Sequence, residues 1–174
     1  MDRKTLEFNG ACFEAQISRM LARLYPDGRI LADVHLPCKF LNKEETQIDL
    51  ILVHPRGVFV IEAKGWKNWV KGGYTDSVWK GAGSAQNILA VYSPVSQNII
   101  HIRALRNAIR KQCDFNPISF TNLVCFPDGV RNMSVCDEVV NFSNLKLKID
   151  KQILRQDNLI NVNDYVDLIN QVRI

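Results

Sequence analysis

The sequence lacks any apolar run that approaches the roughly 20 residues of a transmembrane helix. Its first residues, Met-Asp-Arg-Lys-Thr-Leu-Glu, lack the apolar segment of a secretory signal peptide. Internal repeats, low-complexity tracts and linkers are absent as well. With 47% hydrophobic and 23% charged residues, the 174-residue chain has the composition and size of one globular domain. We therefore expect a cytoplasmic protein without membrane association, folded as a single domain over residues 1–174.

Cysteine follows no pattern that predicts a bridge or a metal site. The five cysteines are an odd number, and none of them forms a Cys-x-x-Cys pair. Neither a disulfide framework nor a structural zinc site is therefore expected. We interpret all of them as reduced and most of them as core residues: Cys12, Cys38, Cys113, Cys125 and Cys136.

Carboxylates are scarce in one part of the chain. The net charge of +4 indicates little by itself. Between Glu62 and Asp114, however, Asp76 is the single acid. The same segment contains eight basic residues: Lys64, Lys67, Lys71, Lys80, Arg103, Arg106, Arg110 and Lys111. Such a surface suits a phosphate backbone, although a solvated basic face with no ligand would have the same composition.

Two apolar runs, Ile48–Val53 and Val58–Ile61, flank a Pro-Arg-Gly turn and predict an antiparallel hairpin. Asp49, Glu62 and Lys64 interrupt strands that otherwise consist of core residues. An unpaired charge in such a strand costs on the order of several kcal/mol. These three residues therefore need a metal ion or one another as partners.

The spacing of these charges fits a symmetric two-residue turn. In that register Asp49 lies directly across from Glu62, with the Cβ atoms roughly 5 Å apart, and Lys64 shares their face. Two carboxylates so close repel each other unless a cation lies between them, and Mg²⁺ typically binds one or two carboxylates plus waters and phosphate oxygens. A bulge at Gly57 would instead place the two acids on opposite faces, and an exposed Glu-x-Lys is often only a solvated ion pair.

Hydrophobic periodicity predicts the remaining elements. They are a helix over about 10–24 capped by Asn9, a strand over 29–36, the hairpin strands, a helix begun by Ser93 and Pro94, a strand over 118–126, an edge strand over 135–142 and a terminal helix capped by Asp164. Residues 81–92 fit a loop or a short helix, and the segment after Asn144 is ambiguous. The order predicts an α/β fold, an αβββαβ sandwich with a mixed central sheet.

A stretch of alternating aromatic and basic residues follows the hairpin. It runs from Gly65 to Tyr74 and is followed by Trp79 and Lys80. Such a stretch could stack bases or line a nucleic-acid groove. It could equally form a small hairpin whose tryptophans cover the core.

Asp49, followed after twelve residues by Glu62-Ala63-Lys64, resembles the Asp…Glu-x-Lys signature of the PD-(D/E)XK nuclease superfamily, whose core has this same αβββαβ order. More narrowly, the chain resembles the nuclease-related domain, or NERD, family over about residues 9–145. The matching segments are Gly10–Glu14, Thr46–Asp49, Gly57–Lys64, Trp66, Trp79 and Pro94–Gln97. Residues 146–174 lie outside the resemblance, as a C-terminal extension.

The resemblance implies a role for each matching polar residue. Asp49 and Glu62 match the metal-binding carboxylates, and Glu14 matches an acid on the first helix, at the border of its apolar stripe. Lys64 matches the charged group that orients or activates the hydrolytic water. Gln97 matches a glutamine of the second helix that faces the site. The cofactor implied is Mg²⁺ or Mn²⁺.

We therefore expect a metal-dependent nuclease that hydrolyses phosphodiester bonds, with DNA as the first candidate substrate and RNA as the other. Basic residues would hold backbone phosphates without reading sequence, namely Lys67, Lys71, Arg103, Arg106 and Arg110. The alternative is a non-catalytic module on the same fold that binds nucleic acid or protein, because fold does not determine function. In either case a protein partner could supply targeting.

Overall fold

Four helices and nine strands make up the computed structural model, which describes residues 3–39, 44–66, 68–82, 88–112 and 118–174. The helices are α1 (Arg3–Leu24), α2 (Pro94–Arg110), α3 (Phe142–Ile153) and α4 (Val162–Val172). The strands are β1 (Arg29–Pro37), β2 (Glu45–His54), β3 (Gly57–Ala63), β4 (Trp69–Lys71), β5 (Val78–Ala82), β6 (Ile88–Tyr92), β7 (Phe120–Phe126), β8 (Arg131–Asn132) and β9 (Val139–Asn141). Within the described ranges, no helix has both the length and the apolarity needed to cross a membrane.

The central sheet has five strands in the order β1-β2-β3-β7-β9. Strands β1, β2 and β3 are antiparallel neighbours, whereas β7 is parallel to both β3 and β9. The connection from β3 to the parallel strand β7 contains α2, as expected for a crossover between parallel strands. The predicted α/β fold with a mixed central sheet is confirmed.

The β2–β3 hairpin has the register of a symmetric two-residue turn. His54 pairs with Gly57, and Leu50 pairs with Ile61. Gly57 has φ of +139°, a conformation that favours glycine over residues with a Cβ atom. The alternative register, shifted by one residue, is thereby excluded. Continued by one residue pair, the observed register places Asp49 opposite Glu62.

Two helical layers cover the central sheet, one on each face. Ile17 of α1 and Ile149 of α3 are fully buried against one face. Leu105 of α2 and Ile169 of α4 are fully buried against the other. Each such side chain contributes roughly 1.5–3 kcal/mol of hydrophobic stabilisation. The segment 146–174, although outside the family resemblance, thus supplies part of both layers.

A second sheet, in the order β6-β5-β4-β8, follows the central hairpin. The expectation of a loop or short helix over 81–92 is wrong, because its described residues belong to β5 and β6, which pair along their whole length. β6 consists of Ile-Leu-Ala-Val-Tyr, which is rich in strand-forming residues. Trp79 of β5 is fully buried with Val70 of β4, so for Trp79 the core-covering interpretation is confirmed.

The start of α2 is as predicted, whereas the cap of α4 is not. Ser93 Oγ accepts a hydrogen bond from the Ser96 N–H at 3.2 Å, with Pro94 at the first helical position. The last helix is capped by Asn161, which accepts bonds from the next turn, and not by Asp164. Because α4 begins at Val162, Asn161 occupies the N-cap position and Asp164 lies within the first turn.

Three other boundaries differ from expectation. α1 begins at Arg3 rather than Gly10, because Arg3–Phe8 contains no proline or glycine that would end a helix. α3 was missed, although Leu145, Ile149 and Ile153 have helical spacing, because polar residues separate them. The predicted edge strand is confirmed only over β9.

Candidate active site

The carboxylate of Glu62 lies at the end of β3 and is only 1% exposed. Its Oε1 accepts a hydrogen bond from Gln97 Nε2 at 2.8 Å and also contacts the Lys64 ammonium. Its Oε2 lies 3.0 Å from His101 Nε2. Both oxygens of this buried acid therefore have polar partners, contributed by α2 and by the segment after β3.

The surroundings keep Glu62 ionised. Burial by itself raises the pKa of this carboxyl, but the hydrogen bond to His101 and the positive charge of Lys64 outweigh burial, so the pKa lies below its ordinary value. An ionised carboxylate only accepts hydrogen bonds, so His101 must donate through Nε2. Glu62 therefore carries a negative charge in a site that water barely reaches.

A second buried side chain extends this arrangement away from Lys64. Thr46 Oγ1 lies 2.7 Å from His101 Nδ1, and both residues are at most 5% exposed. Nδ1 of the same ring is thereby paired with the Thr46 hydroxyl, so both nitrogens of His101 have buried partners. The sequence analysis missed His101, although it follows Gln97 by one helical turn, a spacing that places two residues on the same face.

Another missed polar residue, Asn98, fixes α2 beneath the site. Its Nδ2 lies 2.8 Å from Val60 O and 3.0 Å from Leu123 O, which belong to the adjacent strands β3 and β7. Asn98 is fully buried. The helix that contributes Gln97 and His101 is thereby bonded directly to the strand that contributes Glu62.

Asp49 lies beside Glu62, as the hairpin register requires. Its Oδ2 accepts the backbone N–H of Ala63 at 2.8 Å. Burial raises the pKa of Asp49 to about 7, and the negative charge of Glu62 acts in the same direction, against the Ala63 hydrogen bond and the charge of Lys64. The negative form of Asp49 is therefore costly in this site, first because the carboxyl is buried and second because Glu62 is charged.

Glu14 reaches the same region from α1. Burial raises the pKa of its carboxyl, and the charge of Glu62 raises it further, whereas Lys64 lowers it. Glu14 in turn raises the pKa of Asp49. The structure therefore brings together all five predicted catalytic residues, which come from α1, β2, β3, the segment after β3 and α2. Their roles in catalysis stay predictions.

The donor chemistry suits a hard divalent cation. Within the described part of the chain, no group of three or more His, Cys, Asp or Glu side chains is arranged to hold a metal ion. Mg²⁺ often uses only one or two carboxylates and completes its shell with waters and phosphate oxygens. Asp49 and Glu62, which the hairpin register places side by side, supply two such carboxylates.

The predicted phosphate-binding residues do not form one group. Lys71 is exposed on β4, and Lys67 lies outside the described residues. Arg103, Arg106 and Arg110 are exposed along α2, at roughly 9 to 20 Å from Gln97 along the helix axis. The Arg106 guanidinium lies 4.9 Å from the centre of the Phe120 ring, at the start of β7. The arginines thus extend away from Glu62, because Glu62 pairs with Val124, which lies further along β7 than Phe120.

Comparisons with known proteins bear on the family of the chain rather than on single site residues. The sequence profile described as the nuclease-related domain matches residues 9–127. An uncharacterized protein of Bacillus anthracis is 30% identical over 112 residues, which cover 61% of this chain and 49% of that protein. The chain therefore spans about half the length of the curated relative that it matches. No solved structure gives a significant match.

Proposed function

This chain belongs to the nuclease-related domain family, and we propose that it hydrolyses phosphodiester bonds in DNA with Mg²⁺ or Mn²⁺ as cofactor. One observation carries the proposal. The buried carboxylate of Glu62 is bonded to both Gln97 and Lys64 while Asp49 lies beside it with a pKa raised to about 7. A charged cluster this costly to bury is typical of a catalytic site.

The carboxylates would hold the metal. Asp49 and Glu62 are the principal candidates, and Glu14 would bind directly or through a water. When bound, the cation would lower the pKa of a coordinated water and stabilise negative charge that develops on the phosphate. It would also balance the charge that raises the pKa of Asp49 and Glu14.

Lys64 would orient the attacking water. Its side chain is 20% exposed, against 1% for Glu62, so its ammonium is the part of the pair that solvent reaches. Gln97 Oε1 accepts from Lys64 Nζ at 3.2 Å while Gln97 Nε2 donates to Glu62. Gln97 therefore holds the ammonium next to the carboxylate. The third ammonium proton can bond to water or to a phosphate oxygen.

Exposed basic residues on α2 and β4 would bind the substrate through phosphates that lie away from the scissile bond. Lys71 on β4 and the arginines of α2 are exposed and suited to this contact, and Lys67 belongs to the same prediction. Phosphate contacts position a strand but carry no sequence information. We therefore propose a nuclease with little sequence preference in the cytoplasm, and a protein partner would supply any targeting. RNA is the alternative substrate.

A second candidate is a non-catalytic module that binds nucleic acid or protein. It is favoured by one observation, that both oxygens of Glu62 already have protein partners. Such a site would be stable without a metal. The two candidates differ in one measurable property, the response to divalent cations.

A cleavage assay tests the proposal. Supercoiled plasmid, single-stranded circular DNA and RNA are incubated with Mg²⁺, Mn²⁺ or EDTA. Wild-type protein should cut in a metal-dependent way, and Asp49→Asn and Glu62→Gln should each lower the rate about 100-fold or more. Asp167→Asn, an exposed acid on α4, is the matched control and should cut normally.

Thermal unfolding provides a readout that does not depend on activity. Mn²⁺ should raise the Tm of the wild type and of Asp167→Asn, and it should have little effect on Asp49→Asn. Absence of both cutting and a Tm shift, in protein that binds DNA, would reject the nuclease in favour of the binding module.

A further inference from the structure

The outer face of the second sheet is an exposed surface that the candidate active site does not use. Along β4 and β5, Val70 and Trp79 point inward and are fully buried. Neighbouring residues of a strand point to opposite faces, so the alternate residues point outward. We define the outer face by Trp69, Lys71, Val78, Lys80, Tyr92 and Arg131.

The charges on this face have one sign. Lys71 pairs directly with Lys80 across β4 and β5, and Arg131 pairs with Trp69 across β8 and β4. Strands β4, β5, β6 and β8 contain no carboxylate, and among the described residues neither lysine makes an ion pair. Like charges directly opposite each other destabilise a sheet. A polyanion would remove that repulsion.

Exposed aromatic and apolar side chains lie next to these basic residues. Tyr92 pairs with Val78, and the two side chains are 45% and 55% exposed. Trp69, two residues before Lys71, is partly exposed. Flat rings beside cations suit unstacked bases, because the ring stacks on a base while the cation binds its phosphate. A duplex keeps its base faces covered and would leave this surface unused.

The chain connects this face to the active site at both ends. β4 begins five residues after Lys64, and β6 ends five residues before Gln97. Below the face, the Trp66 ring packs at 5.5 Å from the ring of Phe126, the last residue of β7. A Cβ atom on Gly81 would lie 3.3 Å from Trp66, so the inner side of β5 rests on this ring. The second sheet is thus fixed beside the site.

We propose that the outer face binds a single-stranded segment of nucleic acid. The inference rests on the proposed nuclease function and narrows its substrate to strands that are single or locally unpaired near the scissile bond. The lysines contact phosphates, and Tyr92 and Trp69 stack on bases. The exposed rings favour nucleic acid over an acidic protein, because bases stack on the rings whereas carboxylates do not.

Fluorescence anisotropy with a labelled oligothymidine of about 20 nucleotides, in EDTA to prevent cleavage, tests the inference. Wild-type protein should bind it at least about tenfold more tightly than the matching duplex. Tyr92→Ala should weaken binding roughly five- to tenfold. Lys71→Ala combined with Lys80→Ala should reduce the slope of log K against log salt by about 1.4. Lys151→Ala, an exposed lysine on α3, should bind like wild type.

The result separates this inference from the proposed function. Wild-type binding by all face variants whose Tm is unchanged, or equal affinity for the duplex, would overturn the inference while metal-dependent cutting could persist. Binding lost in the face variants, in a protein that never cuts, would support the inference and reject the nuclease. Binding of polyglutamate instead of the oligonucleotide would identify an acidic protein as the partner and overturn the inference.

Discussion

His101 Nε2 lies 3.0 Å from Oε2 of Glu62, and the two side chains are at most 4% exposed. The opposite oxygen of the same carboxylate contacts Lys64. Glu62 is therefore held between Lys64, which solvent reaches, and His101, which solvent does not reach. The first is suited to chemistry with water and substrate, and the second to holding the carboxylate in place.

Replacement of His101 tests the holding role. His101→Ala leaves Oε2 of a buried carboxylate without this partner, which should lower the free energy of unfolding by about 1–3 kcal/mol in urea denaturation. Thr46→Val removes only the hydrogen bond between Thr46 and His101 and should lower the free energy of unfolding by about 1 kcal/mol. Equal stability of His101→Ala and wild type would show that Glu62 does not need the imidazole. Cleavage by His101→Ala should be slowed even at saturating DNA.

The pH dependence of stability should reveal Asp49. Its folded pKa of about 7 lies above the unfolded value of 3.8, so protonation of Asp49 contributes stability that is fully present below pH 3.8 and lost as the pH rises through 7. The shift corresponds to roughly 4 kcal/mol at most. In EDTA, the free energy of unfolding should fall between about pH 4 and pH 7, and Asp49→Asn should reduce that fall. An identical pH profile in both proteins would contradict the assignment.

Gly72 should be indispensable to the second sheet. A Cβ atom there would lie 2.3 Å from ring atoms of Trp79, which is fully buried and cannot move aside. Gly72→Ala should therefore lower the free energy of unfolding by about 1–3 kcal/mol, measured by tryptophan fluorescence in urea. Gly129→Ala is the control, because a Cβ atom there has nothing within 4 Å. Similar stability of both variants would mean that Trp79 repacks easily.

The hairpin and the site residues on it were predictable because their determinants are local. The turn residues before Gly57 set the register, and period-two alternation then places Asp49 and Glu62 together. The start of α2 was predictable for the same reason, since Ser93 and Pro94 specify it within one turn.

The second sheet and the contact between His101 and Glu62 depend on residues that are distant in sequence. β4 has three residues, too few for a periodic pattern, and it forms only because Val70 packs with Trp79 and Val95. His101 stands alone in an ordinary amphipathic helix, and only the packing of α2 on β3 gives it a role. A lone histidine in a helix offers no motif to recognise.

Strand β3 is buried at every residue and is hydrogen-bonded to β2 and β7. Strand β6, in contrast, is largely exposed and pairs, among the described strands, with β5. Local opening of a protein starts where few buried contacts must be broken. β6 can therefore separate and re-form while β3 stays closed. The protein thus carries its candidate catalytic carboxylate on a strand that is buried at every residue, and Tyr92 of the outer face on an exposed strand that can adapt to what it binds.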